Sequence, residues 1–210
     1  MSSTFDIYPI EKIIPSFKSV LDQSTKNYHG YLKDAGINIK PEIGIRLLTK
    51  NGDNEVSYDI NDPFTWRDDL YLWVSIKDIH GGIDGYFFQN DKIDMEYWRD
   101  DIIPLERCKP IRSLLEECLS IGYHWNFRRS ASQPGAINIL YGIISGTIAT
   151  MTNGFVFSDD SAWDFERMPI NGEDFLDNYL RPNKELKKEC KEWAIQCINM
   201  AKVELESNYT

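Results

Sequence analysis

The sequence is poor in the residues that build zinc sites and catalytic triads. It contains only three histidines and four cysteines in 210 residues. No histidine pair has H-E-x-x-H spacing, no G-x-S-x-G segment is present, and the cysteines lack the paired spacing of zinc fingers. We therefore interpret the histidines as packed or surface residues. The cysteines are expected to be reduced, mostly buried thiols: Cys108, Cys118, Cys190 and Cys197.

Phosphate-binding loops and export segments are also missing from the sequence. Gly81, Gly82 and Gly85 lack both the lysine of a P-loop and the spacing of a Rossmann loop, so nucleotide chemistry is not expected. No positively charged segment followed by an apolar run opens the sequence. We therefore expect a cytoplasmic protein, and we expect no cofactor and no resident metal.

Positive charge is scarce, and the imbalance is local. Against 33 acidic residues the chain has 23 lysines and arginines, which gives a net charge of -10. Nearly the whole excess lies in residues 51–101, which carry 13 acids and 4 bases. A surface of this sign repels nucleic acid and membranes and attracts cationic partners. The charge pattern therefore predicts a basic partner, with no nucleic-acid or membrane binding.

An uncharged segment, residues 134–152, is predicted to be the central helix. It has apolar or small residues on every face, which indicates a helix buried inside the fold. Pro134 suits the first turn, Ser132 is the expected N-cap, and Asn153-Gly154 supplies a left-handed end.

A membrane span is the rival interpretation of this helix. Asn138 and several serines and threonines interrupt it, whereas a span needs about 20 predominantly apolar residues. We therefore interpret Gly142 and Gly146 as positions where another element of the fold approaches closely.

The rest of the chain predicts strands and helices in separate runs. Alternating patterns predict an antiparallel meander of strands 42–49, 56–60, 70–78 and 85–89, followed by the short segment 92–95. A further strand at 123–128 precedes the central helix, with three aromatics on one face. Helical patterns cover residues 10–36, divided by Pro15, and residues 105–121, 173–179 and 184–206. We therefore expect one α+β domain over residues 1–210, an antiparallel β meander packed against a helical layer with a buried central helix.

The acidic turn after the central helix is the most enzyme-like feature. Asp159, Asp160 and Asp164 are clustered there, and carboxylates so placed bind Mg²⁺ or Ca²⁺ or divide general acid and base work. The more common arrangement is a turn in which Asp159 and Asp160 accept hydrogen bonds from backbone N–H groups while Trp163 packs beneath. We favour this structural interpretation.

Two adjacent arginines, Arg128 and Arg129, lie before the central helix. They can bind an anion such as phosphate, or pair with the carboxylates of the acidic turn. Because the two segments flank the same helix, we favour an internal ion pair with Asp159, Asp160 or Asp164.

The acidic quarter of the chain is also rich in aromatic residues. Strand alternation places about half of them in the core. The others would form aromatic anchors inside a charged rim, as at protein interfaces, although a plain solvated acidic face is equally expected. The aromatics concerned are Trp66, Tyr71, Trp73, Tyr86, Phe87, Tyr97 and Trp98.

Segments around the central helix resemble a pattern found in small bacterial immunity proteins. They are WNFRRS at 125–130 with Gln133-Pro134, Tyr141-Gly142, and TNGFVFSDDSAWD at 152–164. Such proteins are encoded beside polymorphic toxins, including those of type VI secretion and contact-dependent systems. The resemblance implies a cytoplasmic protein that blocks a cognate toxin. It consists of packing and turn residues and implies no active site; its charged and aromatic members are Arg128, Arg129, Asp159, Asp160, Trp163 and Asp164.

Together these features predict a non-enzymatic inhibitor of a cationic toxin, plausibly a nuclease. A nuclease site must be positive to hold phosphate, so an acidic surface can mimic its substrate. The predicted partner-binding residues are Asp62, Asp68, Asp69, Asp84, Asp91, Asp94, Glu96, Asp100 and Asp101.

Two other functions stay open at this point, as does the oligomeric state. One is a metal-dependent hydrolase that uses Asp159, Asp160 and Asp164 with His124, and the other is a housekeeping scaffold with a different partner.

Overall fold

An eight-stranded, wholly antiparallel sheet runs through the protein. The structure is a computed structural model that describes residues 2–160 and 162–209. In the sheet the strands follow the order β3-β2-β4-β5-β6-β1-β7-β8. The predicted antiparallel meander is found in β2, β4 and β5, which pair side by side. β3 pairs with the other edge of β2 instead of lying between β2 and β4, and β6 extends the run beyond β5. The strands are β1 Ser3–Tyr8, β2 Ile43–Thr49, β3 Glu55–Val56, β4 Leu70–Ile76, β5 Ile83–Gln89, β6 Tyr123–Arg129, β7 Phe155–Phe157 and β8 Ile170–Asn171.

Helices pack on both sides of this sheet, but unequally. We call the side covered by α1, α4, α5 and α6 the helix face, and the opposite side the outer face. None of the helices described is long and apolar enough to cross a membrane. The helices are α1 Phe17–Asp34, α2 Lys92–Tyr97, α3 Arg112–Ser120, α4 Gly135–Met151, α5 Gly172–Asn178 and α6 Lys188–Tyr209. Together with the sheet they confirm the α+β fold class.

Helix α4 is the buried centre of the helix face, as its sequence predicts. Every residue from 135 to 149 is buried. Phe5 of β1 stacks on Tyr141 of α4 with ring centroids 4.5 Å apart. Trp125 and Phe127 of β6 are fully buried on the same side. Because alternate strand residues share one face, this side takes up the apolar half of each strand.

Glycines in α4 allow the close approach predicted for them. A Cβ on Gly142 would lie 2.0 Å from Cε1 of Tyr179, and one on Gly146 would lie 2.7 Å from Cδ1 of Phe175. Tyr179 and Phe175 pack directly over the helix backbone, so a larger residue at Gly142 or Gly146 would force these rings to shift.

The predicted N-cap of α4, Ser132, is wrong. Ser132 itself has a left-handed backbone with φ of 62°. The backbone N–H groups of Gly135 and Ala136 instead donate to the two carboxylate oxygens of Glu204 of α6, each at 3.0 Å. A distant carboxylate thus replaces the local cap, and it suits the positive end of the helix. The predicted left-handed end is confirmed at Asn153, whose φ is 51°.

The first strand, β1, is missing from the sequence-based prediction. It lies between β6 and β7, and Phe5 and Ile7 are fully buried. The predicted helical turn before Pro15 is wrong, because residues 10–14 form bends and coil. Helix α1 begins at Phe17, where Ser16 accepts a hydrogen bond from Ser19 N. The period-two alternation of residues 3–8, ended by Pro9, is the pattern that indicates this strand.

Several other boundaries differ from the prediction. Of the expected strand 56–60 only Val56 is in a strand, the two-residue β3, and the segment at 92–95 belongs to the helix α2, which Asp91 caps. The expected helix 105–121 is divided, because Pro110 ends a 3₁₀ segment, Glu106–Ile111, before α3. The last helix begins at Lys188 rather than Lys184.

A second, smaller core lies on the outer face. Residues 92–120 cross this face and bury Trp98, whose ring meets Phe157 at 4.6 Å between centroids. Trp98 Nε1 also donates to the hydroxyl of Tyr8 of β1 at 3.0 Å. These residues, here called the cover segment, pack over the β1 and β7 end of the sheet. Tyr71 and Trp73 of β4, on the same face, stay half-buried.

Candidate functional site

The strand register places polar side chains in rows across the outer face. Asp84, Arg128 and Thr4 form one row over β5, β6 and β1. Tyr86, Asn126, Asp6 and Phe157 form the next row, which extends onto β7. Phe88 and His124 begin a third row, and Tyr8 lies next to His124. Side chains on neighbouring strands of one face are about 5 Å apart, so these rows form a continuous surface.

A cavity of about 380 Å³ opens where this surface meets the cover segment. We call it the acidic cavity. The sheet supplies its floor, and α2 with the π-helical turn after it, Trp98–Ile102, supplies one wall. It is lined by five aromatics, four aspartates, a histidine and two amides: Tyr8, Phe88, Tyr97, Trp98, Phe157, Asp6, Asp91, Asp94, Asp159, His124, Gln89 and Asn126.

The four carboxylates lie at two depths of the acidic cavity. Asp91 and Asp159 are exposed at its mouth, whereas Asp6 and Asp94 are half-buried. Asp91 also caps α2, because its Oδ1 accepts from the backbone N–H of Asp94 at 2.8 Å. None of the twelve described residues that line the cavity is a lysine or an arginine. Negative charge therefore extends from the mouth to the floor without an internal counterion in the lining.

Asp6, on the cavity floor, is the most strongly perturbed acid. Its Oδ1 accepts a hydrogen bond from Asn126 Nδ2 at 2.6 Å. Burial raises the pKa of Asp6 to about 7, and the nearby carboxylates of Asp159, Asp160 and Asp94 add to the rise. The Asn126 hydrogen bond opposes this shift only in part. The floor of the cavity therefore gains negative charge across neutral pH.

His124, in contrast, is held neutral. It is 6% exposed, and its ring stacks on Tyr8 at 4.8 Å between centroids. Burial lowers the pKa of His124 to about 4, against the opposing effect of Asp94 and Asp91. Nδ1 contacts Asn90 Oδ1 at 2.8 Å, and the Asn90 amide nitrogen donates to the Leu119 carbonyl at 3.3 Å. With this amide orientation Nδ1 carries the proton, so Nε2 is a hydrogen-bond acceptor.

A row of aromatic rings links the acidic cavity to the open part of the outer face. Consecutive ring centroids are 6.4 Å apart for Tyr71 and Tyr86, 5.9 Å for Tyr86 and Phe88, and 5.6 Å for Phe88 and His124. Tyr71 and Tyr86 are only half-buried. The sequence expectation that some meander aromatics would lie outside the core therefore holds for these two residues and Trp73. Trp66 and Trp98 are buried instead.

The arrangement is suited to binding a cation. Carboxylates attract positive charge, aromatic faces add cation–π attraction, and the partly enclosed wall limits screening by water. Metal binding has less support, because the described residues contain no group of three or more His, Cys, Asp or Glu side chains placed to hold an ion.

The structure separates the nine predicted partner-binding acids into three places. Asp84, Asp91 and Asp94 lie on the outer face, and the last two line the acidic cavity. The adjoining residues of α2 and the π-helical turn contain Glu96, Asp100 and Asp101. The loop that leads into β4 contains Asp62, Asp68 and Asp69. In this loop Phe64 contacts Phe17 and Trp125, so its apolar side faces the helix layer.

The acidic turn does not bring its three aspartates together. The backbone N–H bonds predicted for Asp159 and Asp160 are not found among the described residues. Asp160 instead accepts hydrogen bonds from the hydroxyls of Thr4 at 2.7 Å and Ser158 at 3.1 Å. Asp164 is buried and pairs with Lys187 at 2.8 Å. Asp159 faces the acidic cavity. Trp163 is buried nearby, as the structural interpretation of this turn expects.

The favoured ion pair of Arg128 or Arg129 with this turn is not found among the described residues. The two arginines point to opposite faces of β6. Arg128 lies beside Asp84 on the outer face. Arg129 lies on the helix face, 5.4 Å from the ring centroid of Tyr141 and 5.7 Å from that of Trp193. Because adjacent residues of a strand point to opposite faces of the sheet, Arg128 and Arg129 cannot contact the same group.

Asp6 and Asn126 are functional candidates that sequence reasoning missed. Asp6 lies in β1, the strand missing from the sequence-based prediction, so its position beside Asn126 is missing from that prediction too. An acid between apolar residues of an alternating segment is the pattern that could have indicated it.

Comparison of the chain with protein-family models, with curated proteins and with solved structures found no match to any of them.

Proposed function

We propose that this protein binds a basic protein partner through the acidic cavity and the aromatic surface beside it. The observation that carries the proposal is the composition of the cavity, which has four carboxylates, five aromatics and no lysine or arginine in its described lining. Aromatic anchors within a charged surface are typical of protein interfaces with a few dominant contacts.

The charge of the cavity fits a partner whose own site is positive. A carboxylate surface accelerates encounter with a basic protein and fixes its orientation. The 51–101 region supplies both the acids of α2 and the open aromatics of β4 and β5. One continuous part of the chain therefore contributes most of the surface.

We further propose that the partner is a cognate bacterial toxin of the nuclease class, which this protein neutralises. Support for the toxin comes from the resemblance of residues 125–164 to immunity proteins. In that arrangement the carboxylates would occupy the place of phosphate groups in the toxin site. The protein would then act by occlusion in the cytoplasm, without chemistry of its own.

Affinity capture tests this function. Tagged protein is incubated with native cell extract at low and at high salt. We expect one basic protein retained at 1:1 stoichiometry, and its retention weakened by salt. The captured protein, produced alone, should arrest cell growth, and co-production of this protein should restore growth.

Capture of no basic partner in either salt condition would contradict the proposal. The next measurement would then be calorimetric titration with Mg²⁺, Ca²⁺ and Mn²⁺. Stoichiometric uptake that Asp160→Asn abolishes would favour the metal-dependent hydrolase built on Asp159, Asp160 and Asp164.

A further inference from the structure

Hydrogen-bond acceptors line the acidic cavity from mouth to floor, and some of them have no partner. Oδ1 of Asp6 is bonded to Asn126, but no hydrogen bond to Oδ2 is present within residues 2–160 and 162–209. The same holds for Nε2 of His124, a side chain that is 94% buried and lines the cavity. Neither atom is among the fully buried side-chain atoms that lack a partner, so both are accessible from the open cavity. A ligand rich in N–H groups can therefore donate to them there.

From this geometry we infer that the acidic cavity receives an arginine side chain of the partner protein. The guanidinium group lies on the floor between Asp6 and Asp94, and Asp159 at the mouth attracts it inward. This inference rests on the proposed function and names the chemical group through which the partner would be anchored.

Guanidinium fits this cavity better than an ammonium group does. It is planar, it presents five N–H donors, and it stacks on aromatic faces. The half-buried rings of Phe88 and Tyr97 line the cavity. The ammonium of lysine is a compact, strongly hydrated charge with three donors. The acceptors here are spread over several side chains, which a planar fork can reach at once.

The size of the acidic cavity is also suitable. Its volume of about 380 Å³ lies within the range of about 300–1,000 Å³ typical of sites for small ligands. A single long side chain of the partner can therefore enter the cavity. The half-buried rings of Tyr71 and Tyr86 can then contact the partner surface around that side chain. An anchor residue surrounded by a broad contact ring is the usual organisation of an interface with a dominant contact.

The test uses a small probe, so it does not depend on identifying the toxin. N-acetyl-arginine amide and N-acetyl-lysine amide are titrated into the full-length, isotopically labelled protein at pH 8. The readout is the indole N–H resonance of Trp98, which lines the cavity, assigned with Trp98→Phe. We expect saturable shifts with the arginine probe in the millimolar range, and at least fivefold weaker binding of the lysine probe.

Two variants make the result specific. Asp159→Asn removes a carboxylate at the mouth, and we expect it to weaken the arginine probe about three- to tenfold. Glu192→Gln removes the same charge from an exposed position on α6, on the other side of the sheet, and should leave the affinity unchanged. Equal binding of both probes, binding of Mg²⁺ in their place, or equal effects of the two variants would overturn the inference.

Failure of the arginine-anchor inference and failure of the proposed function give different experimental results. If the arginine probe binds but no basic partner is captured, the cavity assignment holds and the toxin proposal fails. If a toxin is captured and binds wild type and Asp159→Asn equally well, the function holds and the arginine anchor is wrong.

Discussion

The two faces of one sheet differ in almost every physical respect. The helix face is filled by aromatic and aliphatic side chains, and α4 packs so closely that a Cβ at Gly142 would lie 2.0 Å from the ring of Tyr179. The outer face carries carboxylates, an amide and a neutral histidine around a cavity. Because alternate residues of the same strands supply both faces, β1 contributes Phe5 to the core and Asp6 to the cavity. The apolar packing on the helix face stabilises the fold. The outer face can therefore carry carboxylates and a buried histidine, which do not themselves stabilise the folded protein.

This difference predicts where substitutions change stability and where they change binding. Residues on the helix face should affect unfolding and leave binding intact once the protein is folded. The exposed and half-buried residues of the outer face should change binding and leave stability nearly intact, apart from the titrating groups of the cavity. The buried residues under the cover segment, such as Trp98, should affect stability as well.

The largest expected effect is on the helix face. Phe127→Ala removes a fully buried ring, and we expect a loss of about 3–5 kcal/mol in the free energy of unfolding. Tyr86→Ala, on the next strand but facing outward, should cost less than about 1.5 kcal/mol, because its ring is half-buried. Urea denaturation of both variants measures the contrast. Similar losses would mean that the outer face is also part of the core.

A smaller loss is expected at the glycine of α4. Gly142→Ala places a methyl group against the ring of Tyr179, and overpacking of this kind costs about 1–3 kcal/mol. Alanine favours helix by about 1 kcal/mol, so the net loss should be about 2 kcal/mol or less. Thermal denaturation gives the result. A control is Gly30→Ala in α1, where a Cβ meets nothing within 4 Å, and this variant should be as stable as wild type or more stable. Stabilisation by Gly142→Ala would show that the packing of α4 is looser than described.

The titration of Asp6 predicts a pH effect on the outer face. Its folded pKa of about 7 lies above its unfolded value near 4, so stability is lost as pH rises between these values. Asp6→Asn keeps an oxygen for the Asn126 hydrogen bond and carries no charge. Relative to wild type it should gain about 2 kcal/mol between pH 4.5 and pH 8. A pH-independent difference would contradict the burial of this carboxylate.

His124 predicts a weaker effect of opposite sign. Its folded pKa of about 4 lies below its unfolded value, so the wild type loses stability as pH falls from about 6.5 towards 4. His124→Gln removes this dependence. Its deficit against wild type should therefore shrink by about 1–2 kcal/mol between pH 7 and pH 4.5, as measured by urea denaturation at each pH. A constant deficit would mean that His124 is solvated in the folded protein.

Much of the fold follows from sequence patterns, and the exceptions have physical causes. The uncharged run before Asn153 predicts α4, and alternation predicts β2, β4, β5 and β6. The N-cap of α4 depends on Glu204, about 70 positions away, which no local pattern shows. β1 is short and lies beside a proline, so its pairing with β6 and β7 is a long-range property.

The candidate site was only partly predictable, because long-range strand pairing brings residues from distant segments into it. Composition indicates an acidic, aromatic surface in residues 51–101, and Asp91 and Asp94 belong to both that segment and the cavity. Asp6 and Asp159 come from other segments, and strand order brings them to the same place. Charge counting along the chain also includes Asp62 and Asp68, which lie in the loop before β4.

The most direct test of the outer face as the binding surface is the association rate of the captured partner. Asp159→Lys reverses a charge at the cavity mouth, and Glu192→Lys makes the same change on the helix side. We expect Asp159→Lys to slow association about tenfold or more at low salt, with a smaller effect at high salt, and Glu192→Lys to stay within about twofold of wild type. Equal slowing by both variants, or no slowing by Asp159→Lys, would contradict the assignment of the outer face as the surface that binds the partner.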